Sequence, residues 1–150
     1  MDVRLNILVT GGAGFIGTYL CRELHKLGHN VRIVDIKRTN SANPEYDYRC
    51  LDILDKKGLN IAITDIDIVI HLAAKHRFFG ISDEEFFRAN EQGTKNVLEA
   101  MDVEAVRKLI FFSTVAVYGE SNGPTDETTE TKPNPSYGVS KLAAENWVKK

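Results

Sequence analysis

The feature that most constrains this chain is a glycine-spaced turn at residues 10–17, Thr-Gly-Gly-Ala-Gly-Phe-Ile-Gly, directly after the apolar run 5–9. Gly11 can take the positive φ of a tight turn. Gly14 has no Cβ, so a pyrophosphate can approach the backbone, and Gly17 lets the following helix lie close to the strand. That helix would offer unpaired N–H groups and its positive dipole end to an anion. The strand, turn and helix together predict a site for the phosphates of a dinucleotide.

An acidic residue at the end of the next apolar run bears on which dinucleotide binds. Asp35 lies 18 residues after Gly17 and can accept hydrogen bonds from both ribose hydroxyls of an adenosine. Its carboxylate would repel a 2′-phosphate, which favours NAD over NADP. Lys37 and Arg38 oppose this preference, because a nearby cation can accommodate the phosphate. The alternative is that Asp35 only caps the turn at the end of its strand.

Apolar strands alternate with helical stretches, which predicts an α/β fold with a Rossmann-type doubly wound parallel sheet and helices on both faces. The expected strands are 5–9, 31–35, 48–51, 67–71 and 108–113, and the expected helices are 15–27, 83–101 and a last one from 136 or 137. We expect one NAD-binding domain over residues 1–150, incomplete because no sixth strand follows the last helix.

Composition argues against several function classes. The net charge of −2 disfavours a nucleic-acid or polybasic membrane role. No apolar run is long enough to span a bilayer, and the N-terminus lacks a long apolar signal region. Cys21 and Cys50 lack the neighbours of a metal site, so we expect no metal and two unpaired thiols acting as small apolar fillers in a reducing cytoplasm.

Small residues follow the fourth predicted strand. His71 ends that strand, and Leu72, Ala73 and Ala74 come next. Small side chains there let the backbone pass close to a flat ligand beyond the carboxyl ends of the strands. We expect His71 to be structural rather than catalytic. The cations at 75–77, Lys-His-Arg, fit a solvated loop and a phosphate or substrate contact equally well.

The helix predicted at 83–101 has a face that is unusual for a plain core. Phe86, Asn90, Gly93, Val97 and Met101 share that face by helical spacing. Gly93 costs the helix ~1 kcal/mol relative to alanine, so we expect a compensating contact. Asn90 and Gly93 suggest a hydrogen bond to backbone at the end of the sheet and close approach to it. A loosely packed helix is the alternative.

Tyr137 and Lys141 carry the strongest chemical signal. Their spacing of four residues puts them on one helix face. A nearby ammonium stabilises a phenolate, so Tyr137 can take a proton from a substrate hydroxyl while hydride leaves the carbon. Thr114, at the end of the fifth predicted strand, can hydrogen-bond the same oxygen. Such pairs also occur on solvated helices, but the glycine turn and Asp35 favour the catalytic interpretation.

These motifs together resemble the extended short-chain dehydrogenase/reductase family, the NAD-dependent nucleotide-sugar epimerases and dehydratases, and within it the proteins like UDP-glucose 4-epimerase. The resemblance covers essentially the whole chain. It rests on residues 10–17, Asp35, 52–53, 71–74, 90–94, 112–119 and 135–141.

The resemblance implies roles for individual residues. It implies that Thr114, Tyr137 and Lys141 are the catalytic residues and that NAD is the cofactor. It implies that Asp52 and Ile53 border the adenine. The cofactor-binding set implied by the resemblance and by the motifs above is Gly11, Gly14, Phe15, Ile16, Gly17, Asp35, Asp52, Ile53, Leu72, Ala73, Ala74, Asn90, Tyr137 and Lys141.

The resemblance also implies an activity. We expect an NAD-dependent nucleotide-sugar epimerase that transiently oxidises a sugar hydroxyl, with Tyr137 as the base, hydride passing to NAD and a UDP-sugar as substrate. We expect a homodimer that pairs the helices of Asn90 and Tyr137, and no activity from the 150 residues alone. A reductase or dehydrogenase of the same family and a non-catalytic NAD-binding sensor are the alternatives. The intact set of Tyr137, Lys141 and Thr114 favours an enzyme.

Overall fold

The computed structural model describes residues 3–37, 45–76, 80–121 and 123–150. Within them the strands form one sheet in the order β3-β2-β1-β4-β5, and every neighbouring pair is parallel. The strands are β1 Asn6–Thr10, β2 Asn30–Asp35, β3 Asp47–Cys50, β4 Ile68–His71 and β5 Leu109–Phe111. This confirms the predicted parallel Rossmann-type sheet, with β5 shorter than expected.

Helical segments connect the strands. They are α1 Phe15–Lys26, α2 Lys56–Ile63, α3 Asp83–Phe86, a π-helical segment Phe87–Gln92, α4 Gly93–Val103, a 3-10 turn Val115–Tyr118 and α5 Ser136–Val148. The last of these begins where the sequence predicts. The single helix expected at 83–101 is instead three consecutive segments, because an extra residue widens its middle turn into a π-helix.

The short helix α2 is absent from the sequence-based expectation. Asp55 caps it by accepting a hydrogen bond from the Gly58 N–H at 3.1 Å. Its core face is limited to Leu59, Ala62 and Ile63. Eight residues with an internal glycine give a weak helical pattern, so tertiary packing decides this element.

The chain divides into two compact units. The first comprises Met1–Ala73 and Asn96–Phe112 and holds the sheet together with α1, α2 and most of α4. The second comprises Ala74–Lys95 and Ser113–Lys150 and holds α3, the π-helical segment, the 3-10 turn and α5.

The sheet of the first unit is buried on both faces, as a parallel sheet covered by helices requires. Alternate residues of β1 enter opposite core clusters, so Leu8 lies in one cluster while Ile7 and Val9 lie in the other. Helices α2 and α4 complete the cluster around Leu8. Helix α1 adds Cys21 to the second cluster. The expectation of helices on both faces is therefore confirmed.

The two cysteines differ in environment. Cys21 is fully buried, and its burial raises the pKa of the thiol to about 12, so it is an inert apolar filler as expected. Cys50 is exposed, because it occupies the last position of β3 with its thiol 3.7 Å from the Ile36 carbonyl oxygen. The prediction that Cys50 fills a core was wrong.

No helix in the described residues combines the length and the apolar character that crossing a bilayer demands. No group of three or more potential metal-binding side chains occurs in those parts of the chain either.

Candidate functional site

The glycine turn after β1 has the close contacts that its sequence predicts. Gly11 has φ +71°, and its N–H donates to the Val34 carbonyl at 2.8 Å. A Cβ on Gly11 would lie 2.7 Å from the Ala73 nitrogen, and one on Gly17 would lie 2.5 Å from the Gly11 oxygen. Side chains at these two positions would therefore push α1 and the end of β4 away from the turn.

The start of α1 fits a phosphate. Gly14 is the N-cap residue, has an extended backbone and is exposed. Phe15 and Ile16 begin the helix with exposed side chains. The N–H groups of a first helical turn have no acceptor within their own helix. An open, glycine-capped helix end is the kind of structure that holds a pyrophosphate.

Asp35 lies at the carboxyl end of β2, next to this turn. Its Oδ2 accepts a hydrogen bond from the Ala13 N–H at 3.0 Å, and its Oδ1 accepts one from the Lys37 N–H at 2.9 Å. The carboxylate thus caps the turn, which was the alternative explanation for it. Each carboxylate oxygen can accept more than one hydrogen bond, so ribose binding stays compatible with the cap. Lys37 is exposed, and Arg38 lies outside the described residues.

The segment after β3 contains the two residues expected to border the adenine. Asp52 is exposed, and its Oδ1 accepts a hydrogen bond from the Leu54 N–H at 2.9 Å. Ile53 is only 8% exposed and belongs to the core cluster around Leu8. Its carbonyl accepts a hydrogen bond from the Asn96 side chain at 3.1 Å. The Ile53 side chain therefore has a clear structural role.

His71 is a buried structural residue, as expected. Its Nδ1 lies 2.5 Å from the Thr10 hydroxyl oxygen, and its ring is 1% exposed. The same hydroxyl oxygen accepts a hydrogen bond from the Ala73 N–H at 3.3 Å. Thr10 and His71 thus fix the backbone at Leu72 and Ala73, both half-buried beside the glycine turn.

In the second unit, Asn90 holds the segment that follows Ala74. Its Oδ1 accepts a hydrogen bond from the Lys75 N–H at 2.8 Å, and its Nδ2 donates to the Lys75 carbonyl at 3.0 Å. The Nδ2 group also donates to the Ser140 hydroxyl oxygen at 3.0 Å. The expected hydrogen bond from Asn90 to backbone beyond the strand end is present. The Asn90 amide already makes these three hydrogen bonds, so a cofactor that bound the same side chain would compete with them or share its atoms.

Two of the cations at 75–77, Lys75 and His76, lie within the described residues. The Lys75 ammonium lies 2.6 Å from a carboxylate oxygen of Glu85, and this hydrogen bond lowers the pKa of Glu85. Glu85 also completes a capping box with Ser82 at the start of α3. His76 is exposed, and Arg77 lies outside the described residues. Lys75 is therefore engaged in anchoring α3.

Helix α5 carries the predicted catalytic pair. Lys141 is only 3% exposed, and burial lowers its pKa from an ordinary lysine value to about 8, against the opposing charge of Glu145. Tyr137 is half-buried, with its ring centroid 6.1 Å from that of Phe86. The Ser140 hydroxyl donates to the Tyr137 carbonyl at 2.8 Å. A chain of two hydrogen bonds, from Asn90 to Ser140 and from Ser140 to the Tyr137 carbonyl, therefore links Asn90 to the first turn of α5.

Thr114 is brought to the same helix by a glycine contact. Its hydroxyl oxygen accepts a hydrogen bond from the Ala116 N–H at 3.2 Å and so caps the 3-10 turn. An oxygen that accepts in this way can still donate its own proton. A Cβ on Gly138 would lie 2.5 Å from the Ala116 oxygen. The missing side chain of Gly138 thus lets α5 pack directly on the turn that Thr114 begins.

A separate open groove of about 500 Å³ lies in the first unit, at the amino ends of the strands. Its lining includes Arg4, His25, His29, Asn30, Arg32 and Asp47. None of the residues predicted to bind the cofactor or to catalyse a reaction lines it. Parallel sheets of this kind bind ligands beyond the carboxyl ends of their strands, so the groove is not a candidate for the cofactor or substrate site.

Thr10 and Ser140 lie within the motifs at 10–17 and 135–141, but the sequence did not predict their hydrogen bonds. Thr10 looks like the last residue of an apolar strand, and nothing local marks its contact with His71 across the sheet. Ser140 lies between Tyr137 and Lys141, yet its partner Asn90 is 50 residues away along the chain. The burial of Ser140 beside Tyr137 can be seen only in the three-dimensional structure.

Comparison with known proteins identifies the family to which the chain is related. The sequence model of the "NAD dependent epimerase/dehydratase family" matches residues 7–150. The chain is 37% identical over 140 residues to the N-acetyl-alpha-D-glucosaminyl-diphospho-ditrans,octacis-undecaprenol 4-epimerase of Escherichia coli. It is also 37% identical over 151 residues to a putative UDP-glucose 4-epimerase of Methanocaldococcus jannaschii. A UDP-N-acetyl-alpha-D-glucosaminuronate decarboxylase of Bacillus cytotoxicus is 36% identical over 136 residues.

Solved structures agree with the sequence relatives. A crystal structure of UDP-galactose 4-epimerase superposes with a TM-score of 0.88 at 35% identity, covering 95% of this chain and 50% of that one. A UDP-glucose-4-epimerase from Stenotrophomonas maltophila with bound NAD and formylated UDP-arabinopyranose superposes with a TM-score of 0.87 at 31% identity, covering 97% and 48%.

The matches cover most of this chain but only part of each relative. The chain aligns over 93% of its own length with the Escherichia coli protein and over 95% with the Methanocaldococcus one, and it spans 41% and 50% of them. The resemblance inferred from the motifs is confirmed, and NAD is the cofactor of the matched family. The chain belongs to the NAD-dependent epimerase/dehydratase family.

Proposed function

We propose that the whole protein is an NAD-dependent nucleotide-sugar epimerase that oxidises a sugar hydroxyl transiently and acts on a UDP-sugar. One observation carries the proposal. Helix α5 presents Tyr137 and the buried Lys141, and Gly138 seats that helix on the turn begun by Thr114. The names of the relatives, several of them UDP-glucose 4-epimerases, support the substrate class.

The first unit supplies residues that fit a dinucleotide. The open helix start at Gly14 would hold the pyrophosphate through backbone N–H groups. Asp35 would accept hydrogen bonds from the adenosine ribose, and Ala73 would leave room for the cofactor beside Gly11. When bound, NAD supplies the acceptor for hydride from the sugar carbon.

The second unit supplies the proton chemistry. Tyr137 takes the proton from the sugar hydroxyl as its carbon is oxidised, and returns the proton when the carbon is reduced again. Thr114 donates a hydrogen bond to the same oxygen. The Lys141 ammonium favours the phenolate form of Tyr137. With a pKa of about 8, Lys141 is mostly protonated at neutral pH and can perform this role there.

A nucleotide-sugar dehydrogenase of the same family is the second candidate. The first half-reaction is the same, because a hydroxyl is oxidised in both cases. A decarboxylase among the relatives shows that the family extends beyond epimerases. The two candidates differ in whether NADH accumulates, because an epimerase returns the hydride to the sugar.

The homodimer expected from the family, formed by the helices of Asn90 and Tyr137, is part of the proposal for the whole protein.

The central test is Tyr137→Phe in the whole protein. We expect NAD binding to remain nearly unchanged and turnover of a UDP-sugar to fall ~10²–10⁴-fold, which is the usual contribution of a general base. Tyr46→Phe removes the same hydroxyl from a tyrosine of the first unit whose ring contacts that of His25, and should leave turnover intact. Near-normal turnover of Tyr137→Phe would contradict the mechanism.

A further inference from the structure

The Glu145 carboxylate on helix α5 accepts hydrogen bonds from Ser113 and Lys149. The Ser113 hydroxyl donates a hydrogen bond to Oε1 of Glu145. The Lys149 ammonium donates to Oε2 of the same side chain at 3.2 Å. The Glu145 side chain is 17% exposed, whereas that of Lys149 is 68% exposed. The Glu145 side chain is thus mostly buried, while its partners Ser113 and Lys149 are both exposed.

Ser113 and Glu145 each lie next to a residue of the proposed catalytic set. Ser113 immediately precedes Thr114, whose hydroxyl caps the 3-10 turn. Glu145 follows Lys141 by four residues on α5, so the two side chains lie one turn apart on one face. The negative charge of Glu145 raises the pKa of Lys141 and opposes the larger effect of burial.

We propose that Glu145 is a positioning residue for the catalytic set: it ties helix α5 to the segment that presents Thr114, and it places a negative charge beside Lys141. This inference rests on the proposed function. It assigns no contact with the substrate to Glu145. Its effect is transmitted through Ser113 on one side and through Lys141 on the other.

Other charged groups near α5 have identified roles of their own. On α3, Glu85 is paired with Lys75. On the π-helical segment, Arg88 is exposed and Glu91 accepts a hydrogen bond from the Trp147 indole at 3.2 Å. Lys95 and Lys150 lie over the Trp147 ring at 4.7 and 3.7 Å. The 3-10 turn carries no charged side chain, and its titratable group is Tyr118.

The first variant is Glu145→Gln in the whole protein, with kcat measured against pH. Glutamine keeps an oxygen that can accept the Ser113 hydrogen bond but removes the charge. Without that charge Lys141 loses its proton at lower pH, so we expect the alkaline fall in kcat to move to lower pH by up to about one unit. A purely structural role would leave the pH profile in place.

The second variant tests the tie to Thr114. Ser113→Ala removes the hydrogen bond and leaves the charge, so we expect kcat to fall on the order of 10-fold, with KM and the pH profile unchanged. Ser113→Thr restores the hydroxyl and should recover kcat. Lys149→Gln removes the exposed partner of Glu145 and should leave both kcat and the pH profile unchanged.

The outcomes separate this inference from the proposed function. If Tyr137→Phe is inactive while Glu145→Gln and Ser113→Ala match the wild type in kcat and pH profile, the positioning role is wrong and the function stands. If Tyr137→Phe is active, the proposed function itself is wrong. A shifted profile for Glu145→Gln together with threonine rescue at Ser113 supports both.

Discussion

At the scale of single residues, Lys141 shows how burial sets both chemistry and stability. An ammonium that is 3% exposed has lost most of its hydration, and burial lowers its pKa to about 8. A buried amine that still titrates near neutral pH is typical of functional sites. The same burial makes the charged form costly to the folded protein below that pH.

Lys141→Met should therefore stabilise the protein at pH 7 while abolishing most turnover. The unfolded chain holds the Lys141 proton up to about pH 10.5, and the folded chain holds it only up to about 8. Between these values the unfolded state binds more protons, so wild-type stability rises with pH in that window. We expect a gain on the order of 2 to 3 kcal/mol at pH 7, which shrinks as pH rises from 8 to 10.5.

Urea unfolding at pH 7 and pH 10 measures this effect. Lys149→Met is the matched control, because its ammonium is 68% exposed and its removal should change stability little at either pH. A Lys141→Met variant that is less stable than the wild type at pH 7 would show that a specific interaction of the ammonium outweighs its burial.

Asp35 makes the second prediction at this scale. The wild-type whole protein should bind NAD more tightly than NADP, because the carboxylate repels a 2′-phosphate. Asp35→Asn removes the charge and keeps one oxygen, which can accept from either the Ala13 or the Lys37 N–H group, while its NH2 group replaces the second acceptor. We expect it to narrow the preference by roughly 10-fold, or ~1.4 kcal/mol, in calorimetric titrations with the two cofactors.

Asp102→Asn provides the control for this change of charge. Asp102 is exposed and pairs with Arg107 at 2.8 Å, away from the glycine turn in the sequence. It should leave the ratio of the two affinities unchanged. If the wild-type protein binds NADP more tightly, the nearby cations dominate and the role assigned to Asp35 is wrong.

At the scale of elements, the sequence predicted the positions of the strands, but it did not predict helix α2 or the π-helical segment. The sequence predicted each strand to within a few residues. Residues 7–9 of β1 and 68–70 of β4 are continuously apolar because these inner strands are covered on both faces, whereas the edge strand β3, Asp-Tyr-Arg-Cys, is polar and partly exposed. Helix α2 was missed because its core face is only three residues. The π-helical segment was missed because spacing alone does not reveal an extra residue in a turn.

The candidate site divides in the same way. The turn with Gly11 and the placement of Tyr137 and Lys141 on one helix were predictable, since both depend on local spacing. The contacts of Asn90 with Lys75 and Ser140 were not, because side chains distant in sequence meet only after folding. The number of partners that a polar residue finds in the fold is a tertiary property.

Gly138 gives the prediction at this scale. Gly138→Ala should raise the helical propensity of α5 by ~1 kcal/mol, yet its new Cβ would lie 2.5 Å from the Ala116 oxygen and 3.1 Å from the Pro133 Cβ. The backbone oxygen cannot move without moving the turn of Thr114. We expect a net loss of about 1–3 kcal/mol in stability and a lower kcat, measured by thermal unfolding and by turnover.

Gly123→Ala is the control for this substitution, because a Cβ there would meet nothing within 4 Å. It should leave thermal stability and turnover near wild type. A Gly138→Ala variant with unchanged Tm and kcat would show that helix α5 does not depend on this close approach to hold Thr114.

At the scale of the whole molecule, the parallel sheet was the most predictable property. The alternation of strands and helices, with the glycine turn after the first strand, predicted a doubly wound parallel sheet. The observed order places β5 at one edge of the sheet. Within the described residues, β5 pairs with β4 on one side and with no strand on the other.

This edge has an apolar character. Ile110 on β5 is 49% exposed, and Phe112 just after it is 41% exposed. Unpaired strand edges with exposed apolar side chains are sites of association between chains. We therefore predict that the 150 residues fold by themselves, because β1 to β5 form one contiguous sheet, and that they self-associate at this edge as concentration rises.

Light scattering of the 150-residue chain over a range of concentrations measures this association. Ile110→Lys places a charge on the edge and should shift the chain towards the monomer. Val103→Lys makes the same change on α4, where Val103 is 66% exposed, and should have little effect. A monomer at every concentration would refute the prediction.

Because the chain spans only about half of the length of its relatives, we also expect no turnover of a UDP-sugar by these residues alone. Measurable turnover would show that the 150 residues contain a complete substrate site.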